Sequence, residues 1–220
     1  MIGTVLDITE RKQAQIALEK SYLQLKKILE GAFQAIAMMA ESRDPYTAGH
    51  QWQVAKLSVA IAREMGLDEN RIEGIHVGAA IHDIGKIQIP AEILAKPSQL
   101  TDLEYSLVKN HPRVGYDILK KIEFPWPVAD IAYQHHERLD GSGYPLGLKG
   151  EEIILEARIV AVADVVESMA NHRPYRPARG LEAAMEEIIK HRGRLFDPDV
   201  VDACVRLFRN KGFHFGSRED

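Results

Sequence analysis

LEARIVAVADVVESMA, residues 155–170, decides the fold. The stretch is nearly continuous apolar sequence and reads as a helix buried at the centre of a helical domain. Asp164 is the exception within it. An unpaired carboxylate in so apolar a helix costs several kcal/mol. It must be neutralised, by hydrogen bonds or, more effectively, by a cation.

The flanking sequence is a series of amphipathic helices. One spans 50–65 and stops at Gly66; Asp68 caps the next, which runs through 69–82. Thr101 and Glu104 have capping-box spacing and open a helix towards Asn110, which the His111-Pro112 step interrupts. A further helix runs to about Lys121, and FPWP at 124–127 is a rigid turn before a helix over 128–136. Residues 137–150 hold four of the sixteen glycines and read as a loop. Helices over 180–191 and 198–209 follow, then a polar tail expected to be flexible over 211–220. The fold class is all-α, with the main domain over 41–210.

Upstream, residues 10–40 hold no proline. Leu18, Tyr22, Leu25, Leu29, Ala32, Ile36 and Met39 fall at alternating steps of four and three, a heptad seam. The segment is either one long helix packed on its own domain or a parallel coiled coil that pairs two chains; the seam favours the homodimer. Leu23, Ile28, Phe33 and Ala35 lie off the seam, so its C-terminal half also packs on its own domain. Residues 1–9 read as a short strand.

Composition excludes several classes. The chain has 220 residues, 45% hydrophobic and 27% charged, enough for one domain and an appendage. No apolar run approaches the ~18 residues of a membrane span. A single cysteine, Cys204, cannot close an intramolecular disulfide, so a reducing, cytoplasmic setting is expected. Net charge is −4, from 28 basic and 32 acidic side chains, which provides no field for a nucleic acid polymer.

The nine histidines are the unusual feature. His50, His82-Asp83, His111 and His135-His136 sit at or near expected helix ends, and Asp164 lies on the buried helix. Side chains adjacent in a helix point about 100° apart. Each adjacent pair can therefore address two metal ions, with Asp83 bridging them. Five imidazoles and two carboxylates suit first-row transition metals better than magnesium. Paired metals supply a nucleophilic water and polarise a phosphoryl group, which points to a dinuclear phosphohydrolase.

HDIGK at 82–86 is similar to the signature of the HD phosphohydrolase superfamily, and HHERLDGSGYP at 135–145 resembles the extended motif of its HD-GYP family. RDPYTAGH at 43–50 and FDPDVV at 196–201 resemble that family's entry and closing segments. The resemblance covers roughly 36–209. It implies a helical bundle that hydrolyses cyclic di-GMP to pGpG or GMP. The metal ligands it implies are His50, His82, Asp83, His111, His135, His136 and Asp164. The ions would be two divalent transition metals, iron or manganese first, with nickel, zinc or cobalt as alternatives. Asp83 and Lys86 would carry the catalysis, with Lys86 facing the scissile phosphate. Tyr144, Arg173 and Arg176 would hold the dinucleotide.

Tyr46 stands where three-metal members of the family carry glutamate, which implies two metals. His76, His172, His191 and His214 match no ligand position. GTVLDITERK at 3–12 looks like the end of a PAS sensor domain entering its signalling helix. Two alternatives stay open: an HD phosphohydrolase for another nucleotide, and a regulatory module that binds cyclic di-GMP or docks on a GGDEF-type cyclase.

Overall fold

The computed structural model describes residues 9–41, 49–170 and 180–216, which form ten α-helices and two 3-10 turns with no strand. The all-α expectation holds. The strand-like segment before residue 9, Tyr46, His172, Arg173 and Arg176 lie outside the described residues. Helix α1 is Thr9–Glu41, α2 His50–Glu64, α3 Glu69–Ile81, α4 Ala91–Leu94 and α5 Asp102–Val108. Next come α6 His111–Leu119, α7 Val128–Gln134, α8 Leu155–Ala170, α9 Gly180–Lys190 and α10 Pro198–Asn210.

The chain divides into two compact units between Ala35 and Ile36, a boundary that α1 crosses. In the first unit the seam residues Leu18, Tyr22, Leu25 and Leu29 are all exposed, as are Leu23 and Ile28. In the second, Ala37, Ala40 and Glu41 of the same helix are buried.

The second unit is built round α8, which packs against α2, α3, α7, α9 and α10. Its Ile159, Val160, Val162, Ala163 and Val166 are fully buried. Burying an aliphatic side chain of this kind is worth about 1.5–3 kcal/mol. That gain overrides the modest helix propensity of valine and isoleucine. Facing them are Leu57 and Ile61 of α2, Ile75 of α3, Ile188 of α9 and Val201 and Cys204 of α10.

Local chemistry fixes where the helices begin and end. After α2 the chain turns in the left-handed region at Gly66 (φ 76°). The Leu67 amide donates to the Ala62 carbonyl and the Gly66 amide to that of Arg63, which closes a Schellman motif. The Asp68 carboxylate accepts from the Arg71 amide, and Thr101 with Glu104 forms the full capping box. Asp197 caps α10 and also accepts from Arg158 of α8 at 2.6 Å, which joins the two helices.

Two expectations are corrected, and one segment the sequence left unread takes shape. Helix α7 ends at Gln134, so His135 and His136 follow the helix instead of lying within it. Residues 84–94 hold a 3-10 turn, Ile84–Gln88, and α4, neither of which is long enough to show a period. The tail is not loose throughout: Phe213 and Phe215 pack on Phe208, with ring centroids 5.1 and 5.7 Å away.

The 3-10 turn meets the start of α6 almost in contact. A β-carbon on Gly85 would lie 1.9 Å from the His111 carbonyl oxygen and 2.6 Å from the Gly115 nitrogen. Only glycine lets these backbones approach so closely. Gly85→Ala should therefore destabilise the protein by about 2 kcal/mol or more. Denaturant unfolding measures this, and wild-type stability in the variant would contradict the packing.

Candidate metal centre

Helix ends deliver six of the seven candidate ligands. His50 is the first residue of α2 and His111 the first of α6; His82 and His135 cap the C-termini of α3 and α7. Asp83 and His136 come one residue later. Asp164 projects from α8.

Three imidazoles are oriented the same way. His82 Nδ1 donates to the Ala79 carbonyl at 2.7 Å, His111 Nδ1 to Val108 at 2.7 Å and His135 Nδ1 to Ala132 at 2.9 Å. Each bond reaches back three residues along the chain. It places the proton on Nδ1 and leaves the Nε2 lone pair free to bind a cation.

Those lone pairs converge on Asp83. Its Oδ1 lies 3.1 Å from His111 Nε2 and 3.8 Å from His135 Nε2, and its Oδ2 lies 3.6 Å from His82 Nε2. His111 and His135 also bring their Nε2 atoms within 3.4 Å of each other. With the protons on Nδ1, these are acceptors facing acceptors. His82 Nε2 and Asp83 Oδ1 are buried without a hydrogen-bond partner. A buried unsatisfied polar group costs about 1–3 kcal/mol, so a cation among these atoms removes several penalties together.

The donor atoms form two groups, within each of which they lie within 4.8 Å of one another. One is Asp83, His111, His135 and His136; the other is His50, His82 and Asp83. Asp83 belongs to both. Asp164 joins on the second side, with Oδ1 3.2 Å from His50 Nε2. This donor set of imidazole and carboxylate fits a divalent transition metal. His76, His191 and His214 take no part among the described residues.

The electrostatics favour ligand forms at His135, His136 and Asp83 but not at His50, which would have to release a proton to bind a metal. Burial, then the neighbouring imidazoles, holds His135 and His136 well below the usual histidine range, so both stay neutral. Burial would raise Asp83, but opposing charge, that of the Lys86 ammonium first, outweighs it and holds the carboxyl well below its ordinary value. Burial would also depress His50, yet the Glu167 charge and hydrogen bonds to Asp164 and Glu167 raise it to about 9.

Lys86 does not point away from the cluster: its ammonium rests on Asp83 Oδ2 at 2.6 Å. Tyr144 stacks on His136, with centroids 4.7 Å apart and ring planes 29° from parallel. A cavity of about 360 Å³ opens beside the cluster, lined by His136, Arg138, Asp164, Ser168 and Phe196 among others.

Three buried glutamates escaped the sequence reading. Glu167 contacts His50 Nδ1, the ring nitrogen opposite the one beside Asp164. Its position three residues after Asp164 in the same apolar helix was the available signal. Glu41, the last residue of α1, accepts from the amides of Gly49 (3.0 Å) and Gln51 (3.1 Å) on either side of His50. It satisfies amides at the start of α2, where Gly49 has no side chain to do so. Glu137 accepts from the Leu146 and Leu148 amides at 2.7 and 3.0 Å, which ties down the loop that carries Tyr144.

Comparison with known proteins agrees with this arrangement. The profile of the family described as HD domain matches residues 34–200. The chain is 42% identical over 201 residues to the cyclic di-GMP phosphodiesterase response regulator RpfG of Xanthomonas campestris pv. campestris, an alignment covering 89% of this chain and 53% of that protein. It is also 42% identical over 191 residues to a cyclic di-GMP phosphodiesterase of Thermotoga maritima, with 86% and 52% covered. The chain spans about half the length of these curated relatives. Among solved structures, Bd1817, an HDG"Y"P protein of Bdellovibrio bacteriovorus, shares the fold. Its TM-score is 0.60 at 23% identity, over 73% of this chain and 52% of that one.

Glu167 orients His50 through the ring nitrogen that would not hold metal. Glu167→Gln should weaken metal binding about 10–100-fold, the usual cost of losing such an outer partner. Titration of the metal-free protein with Mn²⁺ measures it. Unchanged affinity would show that His50 needs no such support.

Proposed function

This chain belongs to the HD domain family, and from that premise we propose that it is a metal-dependent phosphodiesterase that hydrolyses cyclic di-GMP to pGpG, GMP or both. One observation carries the assignment: Asp83 is shared by two groups of donors, all buried except the half-buried His136, that lie within ligand reach of one another. The relatives named as cyclic di-GMP phosphodiesterases, and the Gly143-Tyr144-Pro145 loop packed on the cluster, support this choice of substrate.

In this proposal the centre is dinuclear. His50, His82, Asp83 and Asp164 would hold one ion, and Asp83, His111, His135 and His136 the other; iron or manganese would suit these donors best. When bound, the metals would supply a water activated at neutral pH and neutralise charge on the phosphoryl oxygens. The protein does the rest. His82 and His135, held neutral by burial, would present Nε2 without having to lose a proton, whereas His50 would release one on binding. Asp83 places its two oxygens between the two groups. Lys86, already within the cluster, offsets the charge that develops on the phosphate. Hydrolysis adds water across one phosphodiester and releases the ribose 3′ oxygen. Tyr144, Arg173 and Arg176 hold the remainder of the dinucleotide.

The same proposal places the protein in the cytoplasm as a homodimer paired through the exposed seam of α1, with a GGDEF-type cyclase as a candidate partner. Among the described residues no helix is long and apolar enough to cross a membrane.

Metal-loaded protein incubated with cyclic di-GMP should yield pGpG or GMP by chromatography. Asp83→Ala should lower the rate about a thousandfold or more while circular dichroism keeps its helical form, because both donor groups lose their shared ligand. Binding without cleavage would make the protein a regulatory module. Turnover of mononucleotides alone would make it a different phosphohydrolase.

A further inference from the structure

Tyr144 covers His136 with one face, and a cation stands over its ring. Lys109 Nζ lies 5.3 Å from the centroid of Tyr144 and 4.7 Å from that of Tyr105. Both distances are within cation–π range. The Lys109 backbone is fixed relative to the metal cluster. Its amide donates to the Tyr105 carbonyl at 2.9 Å, and the residue before it, Val108, accepts the His111 Nδ1 proton. Lys109 is half-buried, and among the described residues no carboxylate pairs with it. Among the described residues, two other cations near the cluster are placed differently. Lys86 rests on Asp83, and Arg138 donates to the His135 and Glu137 carbonyls beneath the loop.

A cyclic dinucleotide carries two phosphodiesters on opposite sides of its ring. The metal centre and Lys86 answer the charge of the one being cut. The other falls beside the cluster, where a further cation can share it with the residues that hold the rest of the dinucleotide. Lys109 is such a cation: it stands over Tyr144, whose ring stacks on His136, and over Tyr105, with no carboxylate paired to it among the described residues. We propose that Lys109 binds the phosphodiester that is not being cut, an inference that rests on the phosphodiesterase assignment above. Tyr105 and Tyr144 hold its ammonium in position, so the charge meets the substrate with little ordering cost.

Lys109→Met keeps the aliphatic stem and removes the charge. For cyclic di-GMP it should raise KM about tenfold, with a much smaller change in kcat, because ground-state and transition-state binding are lost together. The loss should be far greater for cyclic di-GMP than for bis(4-nitrophenyl) phosphate, which has one phosphodiester and nothing for Lys109 to hold. The dependence of KM on salt should flatten, and Lys109→Arg should restore most of the affinity. An unchanged KM, or equal losses on both substrates, would overturn the proposal, since equal losses mean that His111 has moved. If the wild-type protein leaves cyclic di-GMP uncut, the assignment of function fails by itself. Calorimetric Kd values for cyclic di-GMP then decide the role of Lys109. Tenfold weaker binding by Lys109→Met supports it; equal affinity, or no binding by either protein, overturns it.

Discussion

Asp83 Oδ1 and His111 Nε2 stand 3.1 Å apart. The His111 proton is committed to the Val108 carbonyl, so two lone pairs face each other inside a protein. His82 and His135 repeat this arrangement from other helices. Such a cluster is costly by itself, since His82 Nε2 and Asp83 Oδ1 are buried with no hydrogen-bond partner. A divalent cation converts the same atoms from mutual repulsion into a coordination shell. The fold around them can be understood as the means of holding these acceptors together. Helices α2, α3, α6 and α7 each contribute their ends, and α8 contributes Asp164 from the middle of the core.

Helix ends suit this purpose. The last turn of a helix has free carbonyls. In α3 and α7 the carbonyls of Ala79 and Ala132 accept the Nδ1 protons of the histidines three residues later. One bond thus satisfies an orphan acceptor of the helix, sets the tautomer and aims Nε2 at the cluster. His111 does the same with the end of α5. The close approach at Gly85 then brings the 82–88 segment against α6, so Asp83 and His111 meet although 28 positions separate them in sequence.

The helix at 155–170 and the caps at Asp68 and Thr101 were legible in the sequence. An apolar run of that length, and a hydroxyl or carboxylate three residues before an amide partner, have local causes. The residues that gather in the cluster could be named from the sequence too, because a carboxylate inside so apolar a helix is costly and adjacent His-Asp and His-His pairs are unusual. Other features depend on distant partners. Glu41 drew no reading of its own; its role depends on amides at 49 and 51 that only the fold brings near. Phe213 and Phe215 were lost in the polar average of the tail, although two aromatics beside Phe208 suffice to anchor it. The tautomers, and hence the facing lone pairs, depend on backbone carbonyls and leave no trace in residue identity.

The central claim is that these acceptors exist to hold metal. Anomalous diffraction from crystals of the Mn²⁺-loaded protein tests it most directly. The account predicts two peaks in the cluster, each about 2.0–2.3 Å from histidine Nε2 atoms, with Asp83 contacting both. A cluster that stays free of anomalous signal at saturating metal, or ions bound only at surface carboxylates, would contradict it.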